Sequence, residues 1–296
     1  MTKTALLFAG QGSQYAGMGK ELVGKIPCDS DLLEKIDKGE FESTTVVQPA
    51  VFAVSCAALQ AAREAGIEFQ AVAGHSLGEY AALVACGAIT LEDGFILLKI
   101  RGEVMQKAAE SSKGGMAAVL GLEAEAVEAA CREISEAGDY VTAVNYNSPA
   151  QIVIAGTEAG LAKAEELLKS KGAKRVVRLN VAAAFHSELM KDAAEEFKAK
   201  IGDFNFKIPE IPFYSNVTGA ILDDFSNMPE YLAKHICSPV RFTEQLYAME
   251  KDGFEAYLEL GPGKVLSGLV KKTLPNAITC NIEDLKSLES AKEILK

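Results

Sequence analysis

The feature that most constrains the fold is a change in the order of the predicted elements near the middle of the chain. Between residues 116 and 181, short apolar segments predict the order strand, helix, strand, strand, helix, strand. This βαββαβ order is typical of the split-βαβ or ferredoxin-like module. On both sides of it, predicted strands alternate with helices, which indicates a parallel sheet. The sequence therefore predicts an α/β protein in which a small ferredoxin-like domain is inserted into a larger α/β domain.

The predicted domain boundaries lie where this order changes. The small domain takes residues 113–181, and the large domain is discontinuous, built from residues 1–112 and 182–296. A chain of 296 residues is long enough for one large domain or for such a pair. Because ligand sites often lie where domains meet, we expect a functional site in the cleft between the two.

Charge and composition exclude several functions. The formal net charge of −11 would repel polyanions, so binding to nucleic acid is not expected. The most apolar segment, 46–62, is interrupted by Gln48 and Ser55, and the N-terminus lacks the long apolar region of a secretory signal, so neither membrane insertion nor export is expected. The six cysteines are widely spaced, which predicts free thiols and no metal centre. A cytoplasmic protein is the resulting prediction.

Residues 74–78 have the sequence Gly-His-Ser-Leu-Gly and match the G-x-S-x-G pattern of a nucleophile elbow. Small residues on both sides of the serine allow a sharp, strained turn that exposes its hydroxyl. A predicted strand precedes the pattern and a predicted helix follows it, which is the context that the elbow needs. Ser76 is therefore the candidate nucleophile, and the backbone N–H of Leu77, at the start of the helix, is a candidate donor to an oxyanion.

A serine nucleophile needs a base, and the chain has three histidines. His75 is adjacent to Ser76, and because neighbouring side chains diverge at such a turn, it is favoured for a structural role. His186 lies where the small domain ends and the next helix begins, at the rim of the predicted cleft. That placement favours His186 as the base, with His235 left as the alternative.

Arg101 interrupts an apolar stripe on the helix predicted for 91–110, at a position where the helical period calls for a hydrophobic residue. A long arginine side chain can cover apolar surface while its charged end reaches water. A guanidinium inside a buried stripe needs an anion instead, and a substrate carboxylate would fit its planar fork. Both interpretations stay open on the pattern alone.

Several further segments, taken together and in this order, resemble the malonyl-CoA:acyl carrier protein transacylase family over essentially the whole chain. They are FAGQGSQ at 8–14, TVVQPA at 45–50, AGHSLGEYAALVACGAI at 73–89, RGEVMQ at 101–106, GGMAAVLG at 114–121, VNYNSPAQIVIAG at 144–156, AFHS at 184–187 and ELGPGKVLSGL at 259–269. The resemblance implies an α/β-hydrolase-like core with a ferredoxin-like subdomain, in agreement with the fold predicted above.

The resemblance also implies a reaction. The expected enzyme transfers malonyl from malonyl-CoA to the phosphopantetheine thiol of acyl carrier protein through a malonyl-serine ester, and so supplies malonyl units for fatty acid synthesis. No bound cofactor or metal is expected, since the coenzyme A thioester is the substrate, and the protein is expected to be a monomer.

By matching positions, the resemblance assigns roles to individual residues. Ser76 and His186 correspond to the nucleophile and the base, and Arg101 corresponds to the partner of the malonyl carboxylate. The backbone N–H groups of Gln11 and Leu77 correspond to the oxyanion hole. The main-chain carbonyl of His235 takes the place of a triad acid and orients the base. Three positions correspond to the lining of the substrate pocket: Gln48, Met105 and Asn145.

The sequence departs from the family pattern in three places. His235 stands where glutamine is commoner, which a carbonyl role tolerates. The stretch 27–45 is shorter than usual. The run of residues 181–184, Val-Ala-Ala-Ala, replaces the usual serine, glycine and proline before the Phe-His pair. These changes bear on how tolerant the enzyme is of substituted substrates.

Three alternative functions share some of these features. An esterase or thioesterase would share the serine pattern, but α/β-hydrolases follow the order Ser, acid, His, whereas here a complete split-βαβ module separates Ser76 from His186. A stand-alone acyltransferase of a polyketide pathway would use the same residues. A non-catalytic binding subunit is disfavoured because Ser76, His186 and Arg101 are all present.

Overall fold

The computed structural model describes residues 2–111, 114–181 and 183–296. The strands are β1 Thr4–Phe8, β2 Ala71–Gly74, β3 Gly114–Leu120, β4 Val141–Ser148, β5 Gln151–Thr157, β6 Arg175–Arg178, β7 Phe213–Tyr214, β8 Ala256–Leu260 and β9 Ile278–Ile282. The α-helices are α1 Ser30–Lys38, α2 Thr44–Glu64, α3 Gly78–Ala85, α4 Leu91–Ser111, α5 Ala124–Glu136, α6 Glu158–Ser170, α7 Lys191–Ile201, α8 Met228–Ile236, α9 Phe242–Lys251, α10 Val265–Thr273 and α11 Leu285–Ile294.

One compact unit comprises Met1–Glu103, Phe204–Ser226 and Gln245–Lys296. Its sheet has the order β7-β2-β1-β8-β9, and every neighbouring pair is parallel. Strands β1 and β8 are buried along their whole length, as expected where helices cover both faces of a parallel sheet. This is why β1 is an uninterrupted apolar run instead of an alternating one.

The other compact unit comprises Val104–Asp203 and Asn227–Glu244. Its antiparallel sheet has the order β4-β5-β3-β6, which is the ferredoxin-like arrangement for strands in this chain order. Helices α5 and α6 bury Val127, Ile134 and Leu161 against it. The α/β prediction with a separate antiparallel module is confirmed. The predicted domain boundaries fall at residues 112, 113 and 182, which lie outside the described residues, and the boundaries stay a prediction.

Pro49, a residue tolerated in the first turn of a helix, predicts that a helix begins there, but α2 begins at Thr44 and this prediction is wrong. The Ser43 hydroxyl accepts the N–H of Thr45 at 3.1 Å and caps the helix five residues earlier. A proline in the second turn removes only one internal hydrogen bond, and the buried face of this long helix outweighs that loss. As a result Gln48 lies on a helix.

Among the described residues, α2 is also the one helix that is long and apolar enough to span a membrane by composition. Its mean hydropathy is 1.5 over the most apolar 18 residues, so, contrary to expectation, the polar residues within it do not exclude it by composition. Within the protein, 78% of that window is buried. Burial of this extent is typical of a core helix in a globular unit.

Two further elements differ from the sequence prediction. Helix α1 was not predicted; Asp29 caps it by accepting the N–H of Asp31, and Gly39 ends it at a φ of 73°. The segment Ile-Pro-Phe-Tyr-Ser-Asn at 211–216 predicts a six-residue strand, but β7 is limited to two residues. The chain turns after Tyr214, so Ser215 and Asn216 leave the sheet at its edge.

Loops from four strands meet at the carboxyl edge of the parallel sheet, where α/β proteins commonly bind ligands. They comprise residues 10–12, 75–77, 215–216 and 261–263. At one contact the chain requires glycine, since a Cβ on Gly10 would lie 2.5 Å from the carbonyl oxygen of His75. The sheet therefore brings the loop of Gln11 against the loop of Ser76.

Substitution of Gly78 would show how tightly the turn after β2 is packed. A Cβ on Gly78 would lie 2.1 Å from the carbonyl oxygen of Phe8 in β1, and neither backbone can retreat without disturbing the sheet. We expect Gly78→Ala to lower the free energy of unfolding by about 3 kcal/mol. Gly268→Ala is the matched control, because Gly268 is on a helix with open space around it and should gain about 0.5 to 1 kcal/mol. Urea denaturation measures both, and equal midpoints for the two variants would contradict the packing argument.

Candidate active site

Ser76 lies in a sharp turn between strand β2 and helix α3. Its φ is 52°, in the left-handed region that non-glycine residues seldom adopt. A Cβ on Gly74 would lie 2.1 Å from the carbonyl carbon of Gly78, so the two glycines allow the chain to pass close to itself. This is the strained strand-turn-helix geometry of a nucleophile elbow.

Two backbone N–H groups beside this turn make no hydrogen bond to any other described residue. They belong to Leu77, which precedes the first turn of α3, and to Gln11, in the adjoining loop after β1. Backbone N–H groups next to buried structure are nearly always paired, so free ones indicate a place for an acceptor. A helix N-terminus adds a favourable field for negative charge. The pair is suited to stabilise an oxyanion.

Arg101 on α4 is 1% exposed and reaches the same turn. Its Nη2 donates to Ser76 Oγ at 3.3 Å, and its Nη1 donates to Gln48 Oε1 at 2.8 Å. The guanidinium also lies over the ring of Tyr80, 5.7 Å from the centroid. The structure thus joins three of the predicted residues, Ser76, Arg101 and Gln48, in one hydrogen-bonded chain.

Neutral groups supply all the hydrogen bonds that Arg101 makes. Within the described residues it forms no ion pair, and its Nε is buried without a hydrogen-bond partner. Burial lowers the pKa of the guanidinium, although the neighbouring Tyr80 and Glu79 partly offset this effect. A buried cation with neutral partners can still bind a carboxylate, and it would do so in two-pronged geometry.

A buried polar residue that the sequence did not predict, Asn216, lies behind the turn. Asn216 accepts the Ser76 N–H through Oδ1 at 2.8 Å and donates through Nδ2 to the Gly74 carbonyl at 2.6 Å. Its backbone N–H donates to Glu79 Oε1 at 2.5 Å. Asn216 and Glu79 are both fully buried. The available signal was the pair Ser215-Asn216, polar residues at the carboxyl end of a strand in a parallel sheet.

His186 belongs to the other unit and is also in the left-handed region, with a φ of 62°. Its Nδ1 lies 3.0 Å from the main-chain oxygen of His235 and 3.2 Å from that of Ser238. Since carbonyl oxygens only accept hydrogen bonds, Nδ1 must carry the proton, and Nε2 keeps its lone pair. The imidazole is held as a base by carbonyls. The family resemblance predicts the first of these two carbonyls, that of His235; the contact with the Ser238 carbonyl was not predicted.

The remaining predicted pocket residues, Met105 and Asn145, belong to the second unit. Met105 is buried on α4 in the part counted with the second unit. Asn145 lies on β4 and forms an isolated bridge with Val240. Its buried Oδ1 has no hydrogen-bond partner among the described residues. The described residues also contain no group of three or more side chains that could hold a metal ion.

Comparisons with known proteins identify the class of protein. Residues 29–292 match the family described as "Acyl transferase domain", and the chain is therefore an acyltransferase. It is 41% identical to the malonyl CoA-acyl carrier protein transacylase of Bacillus subtilis strain 168, over all of this chain and 98% of that protein. The chain belongs to the malonyl-CoA:acyl carrier protein transacylase family.

Solved structures agree with this assignment. The acyl-carrier-protein S-malonyltransferase of Burkholderia pseudomallei 1710b superposes with a TM-score of 0.93 at 39% identity, covering 98% of this chain and 99% of that one. A malonyl-transacylase solved in complex with the holo form of a type II PKS acyl-carrier protein gives a TM-score of 0.91 at 34% identity, with 99% of both chains covered.

The tautomer of His186 is open to direct measurement. We expect ¹⁵N spectra of histidine-labelled protein, recorded where the ring is neutral, to show protonated Nδ1 and unprotonated Nε2 for His186, assigned by the loss of its signals in His186→Asn. His235→Gln should leave this pattern unchanged, because the accepting oxygen belongs to the main chain. A signal pattern with the proton on Nε2 would contradict the hydrogen bonding described above.

Proposed function

We propose that this chain transfers the malonyl group of malonyl-CoA to the phosphopantetheine thiol of acyl carrier protein through an ester on Ser76. The observation that carries the proposal is the buried Arg101, held by neutral partners and hydrogen-bonded to Ser76 Oγ. A cation that reaches the nucleophile and has no carboxylate of its own favours an acyl donor that brings one. The curated relatives are named for this transfer.

In the first half-reaction, Ser76 Oγ attacks the thioester carbonyl carbon while His186 Nε2 takes the hydroxyl proton. The carbonyl oxygen becomes an oxyanion, and the N–H groups of Gln11 and Leu77 stabilise it. The carbon–sulfur bond then breaks, and the coenzyme A thiolate takes the proton from His186. In the second half-reaction the carrier thiol gives its proton to His186 and its sulfur attacks the ester carbonyl carbon; the bond to Ser76 Oγ then breaks, and Oγ takes the proton back from His186.

The two carbonyl oxygens at Nδ1 replace the acid of a serine triad in this proposal. They fix the ring tautomer and attract the imidazolium that forms when Nε2 takes a proton. A carboxylate would attract the imidazolium more strongly but would also add a negative charge to a site that binds an anionic substrate. Main-chain oxygens avoid that repulsion.

The remaining parts of the proposal follow from the same chemistry. The thioester is a substrate, so the residues named need no bound cofactor or metal. We propose that the protein works as a monomer in the cytoplasm, with malonyl-CoA and acyl carrier protein as its partners. Asn145 and Met105 are proposed to line the acyl pocket.

The metabolic pathway has two candidates. Fatty acid synthesis is the first, and polyketide synthesis is the second, because a relative at 34% identity was solved with a type II PKS carrier protein. Both pathways would use the same chemistry at Ser76. Transfer rates to the two kinds of carrier protein would distinguish them.

The ester intermediate provides the first test. Mixing the protein with malonyl-CoA should add one malonyl unit by intact mass, located on Ser76, and added carrier protein should remove it. Ser76→Ala should abolish labelling, and His186→Ala should slow it by about 100-fold or more, the usual scale for a general base. Labelling of Ser76→Ala at the wild-type rate would refute the proposal.

Selectivity provides the second test. Arg101→Ala should lose about 100-fold to several thousand-fold in kcat/KM for malonyl-CoA, since an unpaired carboxylate would be left in a buried site, and should keep or gain activity with acetyl-CoA. Arg101→Lys should recover only part of the malonyl activity, because a point charge cannot make the two-pronged contact.

Gln48→Glu is the matched isosteric variant in this test. It would give Arg101 a carboxylate partner and so should lower the malonyl-to-acetyl ratio of kcat/KM while the guanidinium stays in place. If Arg101→Ala lowers both substrates equally, the arginine is structural and another group binds the carboxylate.

A further inference from the structure

Asn216 is a buried polar residue in contact with the Ser76 turn, and the proposed mechanism does not use it. It lies just beyond β7, the edge strand of the parallel sheet. Strand β7 pairs with β2 only through Val72↔Phe213 and Ala73↔Tyr214. Main-chain pairing thus stops before β2 reaches the turn.

The Asn216 side chain continues this pairing where the main chain cannot. A primary amide has the donor and the acceptor of a peptide group. Oδ1 accepts the Ser76 N–H at 2.8 Å, and Nδ2 donates to the Gly74 carbonyl at 2.6 Å. These are the two groups that a neighbouring strand would bond. The amide therefore fixes both ends of the segment that changes from strand to left-handed turn.

The orientation of this amide is itself fixed. The second N–H of Nδ2 donates to Gln245 Oε1 at 3.1 Å, and Gln245 Nε2 donates to the Tyr214 carbonyl at 2.7 Å. Since the Gly74 carbonyl and Gln245 Oε1 both accept, a flipped amide would lose three hydrogen bonds. Asn216 and Gln245 are fully buried, so water cannot replace these partners.

The backbone of Asn216 is tied to the other side of the turn. Its N–H donates to Glu79 Oε1 at 2.5 Å, and Glu79 is in the first turn of α3. One residue thus bonds to the end of β2, to Ser76 and to the helix that follows. Such a set of bonds opposes relaxation of the Ser76 φ from 52° toward the ordinary range.

We infer that Asn216 is a positioning residue for the acylation step, acting through the Ser76 N–H to hold the hydroxyl and the adjoining Leu77 N–H in reactive geometry. The inference rests on the proposed function of Ser76. Its consequence is a specific kinetic one: loss of Asn216 slows attack on the bound thioester and leaves binding of the thioester unchanged. A misplacement of about 1 Å in a reacting group can cost on the order of 100-fold in rate.

The test is single-turnover acylation by malonyl-CoA, followed by rapid quench and intact mass at several substrate concentrations. Asn216→Ala should lower the maximal acylation rate constant by about 10- to 100-fold and leave the half-saturating concentration within about twofold. Leu288→Ala is the stability-matched control, because Leu288 is a buried residue of α11 outside the site. It should lower the urea midpoint without changing the acylation rate constant of the folded protein.

An isosteric variant covers the case in which Asn216→Ala does not fold. Asn216→Asp keeps an acceptor for the Ser76 N–H and loses the Nδ2 donors to Gly74 and Gln245. It should slow acylation at unchanged half-saturation and shift the Ser76 and Leu77 amide signals in ¹H–¹⁵N spectra, whereas Leu288→Ala should leave both signals in place.

Different experimental results would refute this inference and the proposed function. If wild-type protein acquires no malonyl group on Ser76, the proposed function is wrong. If the wild type is acylated and a folded Asn216 variant reaches the same maximal rate constant, or changes only half-saturation, the positioning role is wrong. If Leu288→Ala slows acylation as much as the Asn216 variant does, the positioning role is also wrong, since loss of stability would then account for the slower acylation.

Discussion

The close passage of the chain through the turn at Ser76 is the constraint on which the rest of the site depends. Gly74, Gly78 and Phe8 approach one another so closely that no Cβ fits at either glycine. Ser76 must then take a left-handed conformation that costs a non-glycine residue about 1 to 2 kcal/mol. Packing of β1 against this turn offsets the strain. The result is a half-buried serine whose hydroxyl lies at a helix N-terminus, next to the free N–H groups of Leu77 and Gln11.

Two kinds of electrostatic contact surround this hydroxyl, and they act at different stages of the proposed reaction. The substrate carboxylate would carry its charge throughout, so in the proposed reaction Arg101 would contribute mainly to binding and to selectivity. The oxyanion would exist only during bond making and breaking, so the proposed donors, the N–H groups of Leu77 and Gln11, would contribute to the rate. The partners of Arg101 must be neutral for it to bind the substrate in this way, because a carboxylate in place of Gln48 would compete with the substrate carboxylate for the guanidinium.

In both units, main-chain groups make many of the hydrogen bonds on which the proposed site depends. The His186 ring is oriented by carbonyl oxygens, the proposed oxyanion donors are backbone N–H groups, and the Asn216 amide makes the hydrogen bonds of a peptide group. Roles of this kind tolerate substitution of the side chain that carries them, which is how histidine can stand at position 235. They do not tolerate changes in backbone path, and the glycines at 10, 74 and 78 preserve that path.

Sequence alone determined the α/β class, the ferredoxin-like order and the family. The reason is that the period of the apolar residues and patterns such as Gly-His-Ser-Leu-Gly depend only on residues that are close together in the chain. It placed Arg101 on an apolar stripe, but whether the guanidinium is buried or reaches water depends on what packs around it. It could not set the start of α2, where a serine cap and a buried face outweighed Pro49, or the length of β7. Only tertiary structure decided that Gln48, Arg101 and Ser76 share one hydrogen-bonded chain and that Asn216 holds the turn. These hydrogen bonds join residues that are 25 to 140 positions apart. A local sequence pattern does not determine which distant donor and acceptor will form a hydrogen bond.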